Sequence, residues 1–169
     1  VTEDDWIVTF MHEAFHQYQS DLPDYASAVD RVRTQLGQTG GQWMLDYPFP
    51  YSDPAVKAAF GAMTASAADF LRADSDSKAI AAIRDYVRAR HLAREAAGAN
   101  NWLFYEFQIG QEGVARWTEL RLANAAGSSR PGIAAIGRER DEGLAVSLNA
   151  IDEQGVEIWK RSAFYVLGA

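Results

Sequence analysis

Apolar positions recur along most of the chain at helical spacing. From Trp6 to about Ser20, apolar residues fall on most sides of a helix: Trp6, Ile7, Val8, Phe10, Met11, Phe15 and Tyr18. A helix apolar nearly all round predicts burial. Thr2, Asp4 and Asp5 supply N-cap oxygens and negative charge at its start, and Leu22-Pro23-Asp24 ends it. A second helix is expected from about Tyr25 to Leu36, then a "GQTGGQ" loop. In "QWMLDYPFPYSD", Pro48 and Pro50 prevent regular helix. Pro54 suits the first turn of a helix reaching Leu71. Asp74 or Ser75 caps the next, to about Ala97, with Ile80, Ile83, Val87 and Leu92 as its apolar stripe. "GANN" closes that helix and opens another, from Trp102 to Ala126. "AGSSRPG" is a loop. Residues 133–151 fit a helix, although "LAVSLNAI" also alternates like a strand. A last helix holds Val156 to Leu167. The prediction is a mainly α chain with no internal repeat.

Length and composition bound the class. The 169 residues fit a single domain spanning 1–169, and 48% hydrophobic content predicts a real core. A net charge of −7 disfavours nucleic acid and anionic membrane as partners. No apolar run is long enough to span a bilayer, so no transmembrane segment is expected. The absence of cysteine excludes disulfides and thiolate metal sites and suits reducing and oxidising compartments equally, leaving localisation open. The first residues, "VTEDDWIV", and the last, "FYVLGA", read as cut ends of a longer chain.

Chemistry enters with "FMHEAFHQYQ", residues 10–19. His12 and His16 share a helical face and can aim both imidazoles at one ion. Zinc prefers such nitrogen ligands. Glu13 lies about 100° further round the helix, placed to hold a water rather than the ion. This is the H-E-x-x-H arrangement of zinc peptidases, with Glu13 as general base.

A catalytic zinc needs a third protein ligand and an open position. No third histidine follows at the extended spacing; Gln19 stands where a glycine would. His91 lies in the basic stretch "RDYVRARHLAR", where cationic neighbours disfavour a metal. A carboxylate from "YEFQIGQEGVARWTELR", residues 105–121, is the remaining source. Gly110 and Gly113 flank Glu112, and their cost to a helix implies a close approach of backbones, letting Glu112 near the histidine helix. Glu106 and Glu119 are the alternatives. Glu119 can otherwise orient a histidine from behind. Arg116, four residues after Glu112, can pair with it. Both Arg116 and Glu119 also fit as plain surface charges.

H-E-x-x-H followed by E-G-x-A resembles the gluzincins, the thermolysin- and aminopeptidase-like zinc metallopeptidases. The matching residues are His12-Glu13-x-x-His16 and Glu112-Gly113-Val114-Ala115. The resemblance implies Glu112 as third zinc ligand. It also implies Tyr165 as a hydrogen-bond donor to the oxyanion, since Tyr165-Val166-Leu167-Gly168-Ala169 keeps the Tyr, Gly and Ala of a further motif but lacks its Lys. A zincin-like helical catalytic portion is then expected, with any β-sheet lying upstream of residue 1. The expected cofactor is Zn²⁺ and the expected partner a peptide or protein substrate. The gap between His16 and Glu112, residues 17–111, is longer than usual in aminopeptidase-like families. The extra helices and "WMLDYPFPY" that fill it are either a lid or cleft wall, or simple packing. The competing expectations are a non-catalytic zinc-binding module, a purely structural helical domain, and a zinc hydrolase acting on a non-peptide amide or ester.

Overall fold

The computed structural model describes residues 1–169. The chain is mainly helical and contains no strand. In order it forms α1 (Glu3–Ser20), α2 (Tyr25–Gln35), α3 (Trp43–Asp46), α4 (Pro54–Leu71), α5 (Asp76–Ala97), α6 (Ala99–Gln108), a π-helical turn (Ile109–Gly113), α7 (Val114–Ala125), a 3₁₀ turn (Gly127–Ser129), α8 (Pro131–Gln154), α9 (Val156–Trp159) and α10 (Ser162–Leu167). No helix is long and apolar enough to cross a membrane.

Two helix starts follow their capping chemistry. Thr2 Oγ1 accepts from the Asp5 amide while Asp5 accepts from the Thr2 amide, a reciprocal capping box. Asp53 caps α4, with Pro54 in the first turn. Residues 133–151 are helical throughout. Ile133, Ala134, Gly137, Leu148 and Ile151 turn inward at helical spacing, and Val146 is exposed, as strand alternation would not allow beside buried Leu148.

The main core is aromatic and lies between α4, α6 and α10. Phe49, Phe60, Trp102, Phe104, Tyr105 and Phe164 are buried there with edge-to-face and tilted contacts, such as Phe60 to Tyr105 at 5.1 Å. The "WMLDYPFPY" segment belongs to this core. Trp43 and Phe49 are buried, and Tyr47 stacks on Phe104 at 4.2 Å. It is packing, not a lid. A smaller cluster of Val8, Ala123 and Ile133 ties α1 to α7 and α8.

Four expectations need correction. First, α1 is not buried all round. Trp6, Phe10 and Tyr18 are exposed, and the buried positions are Val8, His12 and Gln19. One face meets α7 and α8, and that face carries polar groups. Second, Ile80, Ile83, Val87 and Leu92 of α5 are exposed. The inward stripe is Ala82, Ala89, Ala93 and Ala97, small residues that let α5 lie close along α4. Third, the helix expected over Trp102–Ala126 is interrupted by the π turn. Fourth, the helix expected from Val156 breaks at Lys160, which has φ 47°, so α10 takes a new direction.

Candidate metal centre

The π turn carries Glu112 into the interior face of α1. Such turns widen one helical loop and re-aim a side chain. Gly113 explains how the turn is held. A Cβ there would meet Gly168 Cα at 2.4 Å, and a Cβ on Gly168 would meet Gly113 Cα at 2.5 Å. The close backbone approach implied by the glycines is therefore with the chain's last residues, not with α1. Gly110 has open space at its Cβ position, and its carbonyl accepts from Gln19 Nε2 at 2.9 Å. The Gly113–Gly168 contact locks α10, and with it Tyr165, against the turn that bears Glu112.

Three donor atoms converge. His12 Nε2 lies 3.2 Å from His16 Nε2, and Glu112 Oε2 lies 3.4 Å and 3.3 Å from them. Donors about 2.0–2.1 Å from a tetrahedral zinc stand about 3.3–3.4 Å apart, so the spacing fits that ion. The back side of each donor is engaged. Gln19 Nε2 donates to a carbonyl that can only accept, which turns Gln19 Oε1 toward His16 Nδ1 at 3.1 Å. His16 Nδ1 therefore carries the hydrogen and Nε2 a bare lone pair. His12 Nδ1 donates to Glu119 Oε2 at 3.0 Å. Glu119 is itself buried and accepts from Arg116 and Arg140, each at 2.6 Å. Glu112 Oε1 accepts from Arg161 at 2.9 Å. Neutral histidines would thus point two lone pairs at a carboxylate, an arrangement that calls for a cation.

Without a metal, a proton is that cation. Hydrogen bonds from His12 to Glu112 and then to Glu119 raise the histidine to about 9, against the opposing effect of burial. His16 is raised as well, chiefly by Glu112. Burial pushes the Glu112 carboxyl up, but hydrogen bonds from both histidines and Tyr165 outweigh it and hold the group well below the usual range. Glu119 follows the same balance: burial opposes, while His12 and the two arginines win. Burial, then the neighbouring Glu112 carboxylate, raises the Tyr165 phenol, so it stays protonated and able to donate.

Of the residues picked from sequence, His12, His16, Glu112, Glu119 and Tyr165 come together; the Tyr165 ring stacks on His12 at 5.9 Å and 10°. Glu13 is exposed on α1 and has no hydrogen-bond or ion-pair partner. Arg116 pairs with Glu119, not with Glu112 as expected; Arg161 takes that place. Glu106 pairs with Arg90, and His91 is exposed beside Glu95. Sequence reasoning missed Gln19, Arg140 and Arg161. Gln19, three after His16, and Arg161, four before Tyr165, had helical spacing as a signal. Arg140, in a separate helix, had none.

No family model matches the chain, and no curated protein or solved structure matches it significantly.

Proposed function

We propose that the chain is the catalytic portion of a zinc-dependent metallopeptidase that cleaves peptide bonds, with His12, His16 and Glu112 holding Zn²⁺. One observation carries the reading: three lone-pair donors meet at 3.2–3.4 Å, each braced from behind by Glu119, Gln19 or Arg161. Zinc at such a position polarises a carbonyl and brings the pKa of water toward about 7.

The chain's own residues do the rest. Glu13, one residue past His12 and free of partners, takes a proton from the attacking water and delivers it to the departing amine. The water oxygen bonds the carbonyl carbon, the C–N bond breaks, and the amine leaves carrying that proton. Tyr165 donates to the carbonyl oxygen as charge builds on it. Glu119, clamped by Arg116 and Arg140, fixes the tautomer and ring orientation of His12.

The test is a peptide panel run with zinc-loaded protein, with chelator, and with Glu13→Gln. The reading predicts cleavage that chelator abolishes, and a Glu13→Gln protein that keeps zinc but not activity. Near wild-type turnover by Glu13→Gln removes Glu13 as the base. Zinc retention with no cleavage across the panel favours the non-catalytic, metal-binding alternative.

A further inference from the structure

Beside the donor cluster, on the far side of Tyr165, lies a cavity of about 340 Å³ that the hydrolytic step does not use. Its wall includes Arg116, Arg161, Ser147, Ser162, Trp159 and Tyr165. No acidic residue lines it, on a chain that carries a net −7. The volume is at the small end of ligand pockets, the scale of a residue or two rather than a long peptide. The geometry points to a subsite for a substrate carboxylate.

The argument is one of charge and donors. The interior ion network contains three arginines, Arg116, Arg140 and Arg161, against two glutamates, Glu112 and Glu119. That excess of positive charge is half-buried and faces the cavity through Arg116 and Arg161. Each spends one Nη1 on a glutamate, at 2.6 Å and 2.9 Å. Arg116 makes no hydrogen bond beyond the one to Glu119, Arg161 adds a contact to Tyr165, and the N–H groups left over form a planar fork that suits a carboxylate. Ser147 and Ser162 add hydroxyl donors, while Trp159 offers an apolar surface for the stem of the residue that bears the charge.

Placement gives the group its meaning. Arg161 touches the oxygen of Glu112 that faces away from the histidines, and Tyr165 walls both spaces. A substrate carboxylate in the cavity would therefore lie across Tyr165 and Arg161 from a carbonyl at the donor cluster. A free C-terminus and an Asp or Glu side chain both supply such a group. The assignment of a scissile bond rests on the metallopeptidase reading; the binding itself does not.

Three probes test it by titration calorimetry on the zinc-loaded protein: N-acetylphenylalanine, its amide, and N-acetylaspartate α-amide. An acid is expected to bind about tenfold tighter than the neutral amide, the scale of one charge-assisted contact. The two acids distinguish the sources, the first standing for a C-terminus and the second for a side chain. Ser162→Asp, at an exposed position outside the ion network, places a competing carboxylate in the cavity. It should erase the preference for acid while leaving zinc content unchanged. Equal binding of acids and amide overturns the proposal. So does a preference that survives Ser162→Asp, because the acid is then held elsewhere. Acid preference in a protein that cleaves no peptide keeps the subsite and sinks the hydrolase. Cleavage with no preference for acidic or free-C-terminal substrates does the reverse.

Discussion

Between α4, α6 and α10 the interior is aromatic; between α1, the π turn, α7 and α8 an ion network is buried beside a small apolar cluster. In the first region Phe60, Phe104 and Phe164 are fully buried with only apolar neighbours to satisfy. In the second, His12, Gln19 and Glu119 occupy buried positions that an ordinary helix interface would give to leucine or valine. Burying such groups is costly unless every donor and acceptor is paired. Here the pairing leaves three lone pairs aimed at one point. One region sets the scaffold, and the other gives buried positions to a donor cluster that could hold a metal ion.

Five substitutions and a titration sharpen that contrast. Phe60→Ala should cost about 3–5 kcal/mol in a denaturant titration, with the unfolding slope unchanged. An effect under about 1 kcal/mol would mean the aromatic region is not the structural core. In the ionic region Glu119→Ala should lower zinc affinity by about 10–100-fold, read by competition with a chromophoric chelator. Glu112→Ala should lower it further. If the order is reversed, Glu119 is the ligand and Glu112 the brace. Gly113→Ala should cost about 1–3 kcal/mol, because its methyl would collide with Gly168 and push Tyr165 off His12; an unchanged thermal midpoint would refute the glycine lock. At the small end, Val87→Ser on the outer face of α5 should stay within about 0.5 kcal/mol.

The pH dependence separates the regions without mutation. His12 titrates near 9 in the folded, metal-free chain and near 6.5 when unfolded. Its folded value is the higher one, so its contribution to stability is complete below about pH 6.5. It fades as pH rises through about 9. Zinc reverses the trend, since the metal must displace that proton, so affinity should climb across the same window. Flat zinc affinity from pH 6.5 to 9 would detach His12 from the metal.

The sequence made some of this legible and hid the rest, for physical reasons. Helix starts were readable at Thr2 and Pro54 because capping is local. The nearness of His12 to His16 follows from helical spacing, and that of Glu112 from the paired motifs. The inward face of α5 was hidden because alanine carries little hydrophobic signal, while Ile80, Ile83 and Val87 carry much and yet face outward. The π turn was hidden because the contact beside it, Gly113 against Gly168, joins residues 55 positions apart (168 − 113), and the break at Lys160 because nothing in a lysine marks a positive φ. Arg140 was hidden because its partner, Glu119, lies in another helix, and nothing local to an arginine reveals a distant carboxylate. Arg161 had only its spacing from Tyr165 as a signal, which says nothing of its pairing with Glu112.

The central claim, a cation site made from α1 and the π turn, is tested most directly by elemental analysis. Purified protein would be dialysed against a small excess of zinc and then against metal-free buffer. The account predicts a single zinc retained per chain, lost in His12→Ala, His16→Ala and Glu112→Ala but kept in Glu13→Gln. No retained metal in the wild type, or equal retention when Glu112 is removed, would contradict it.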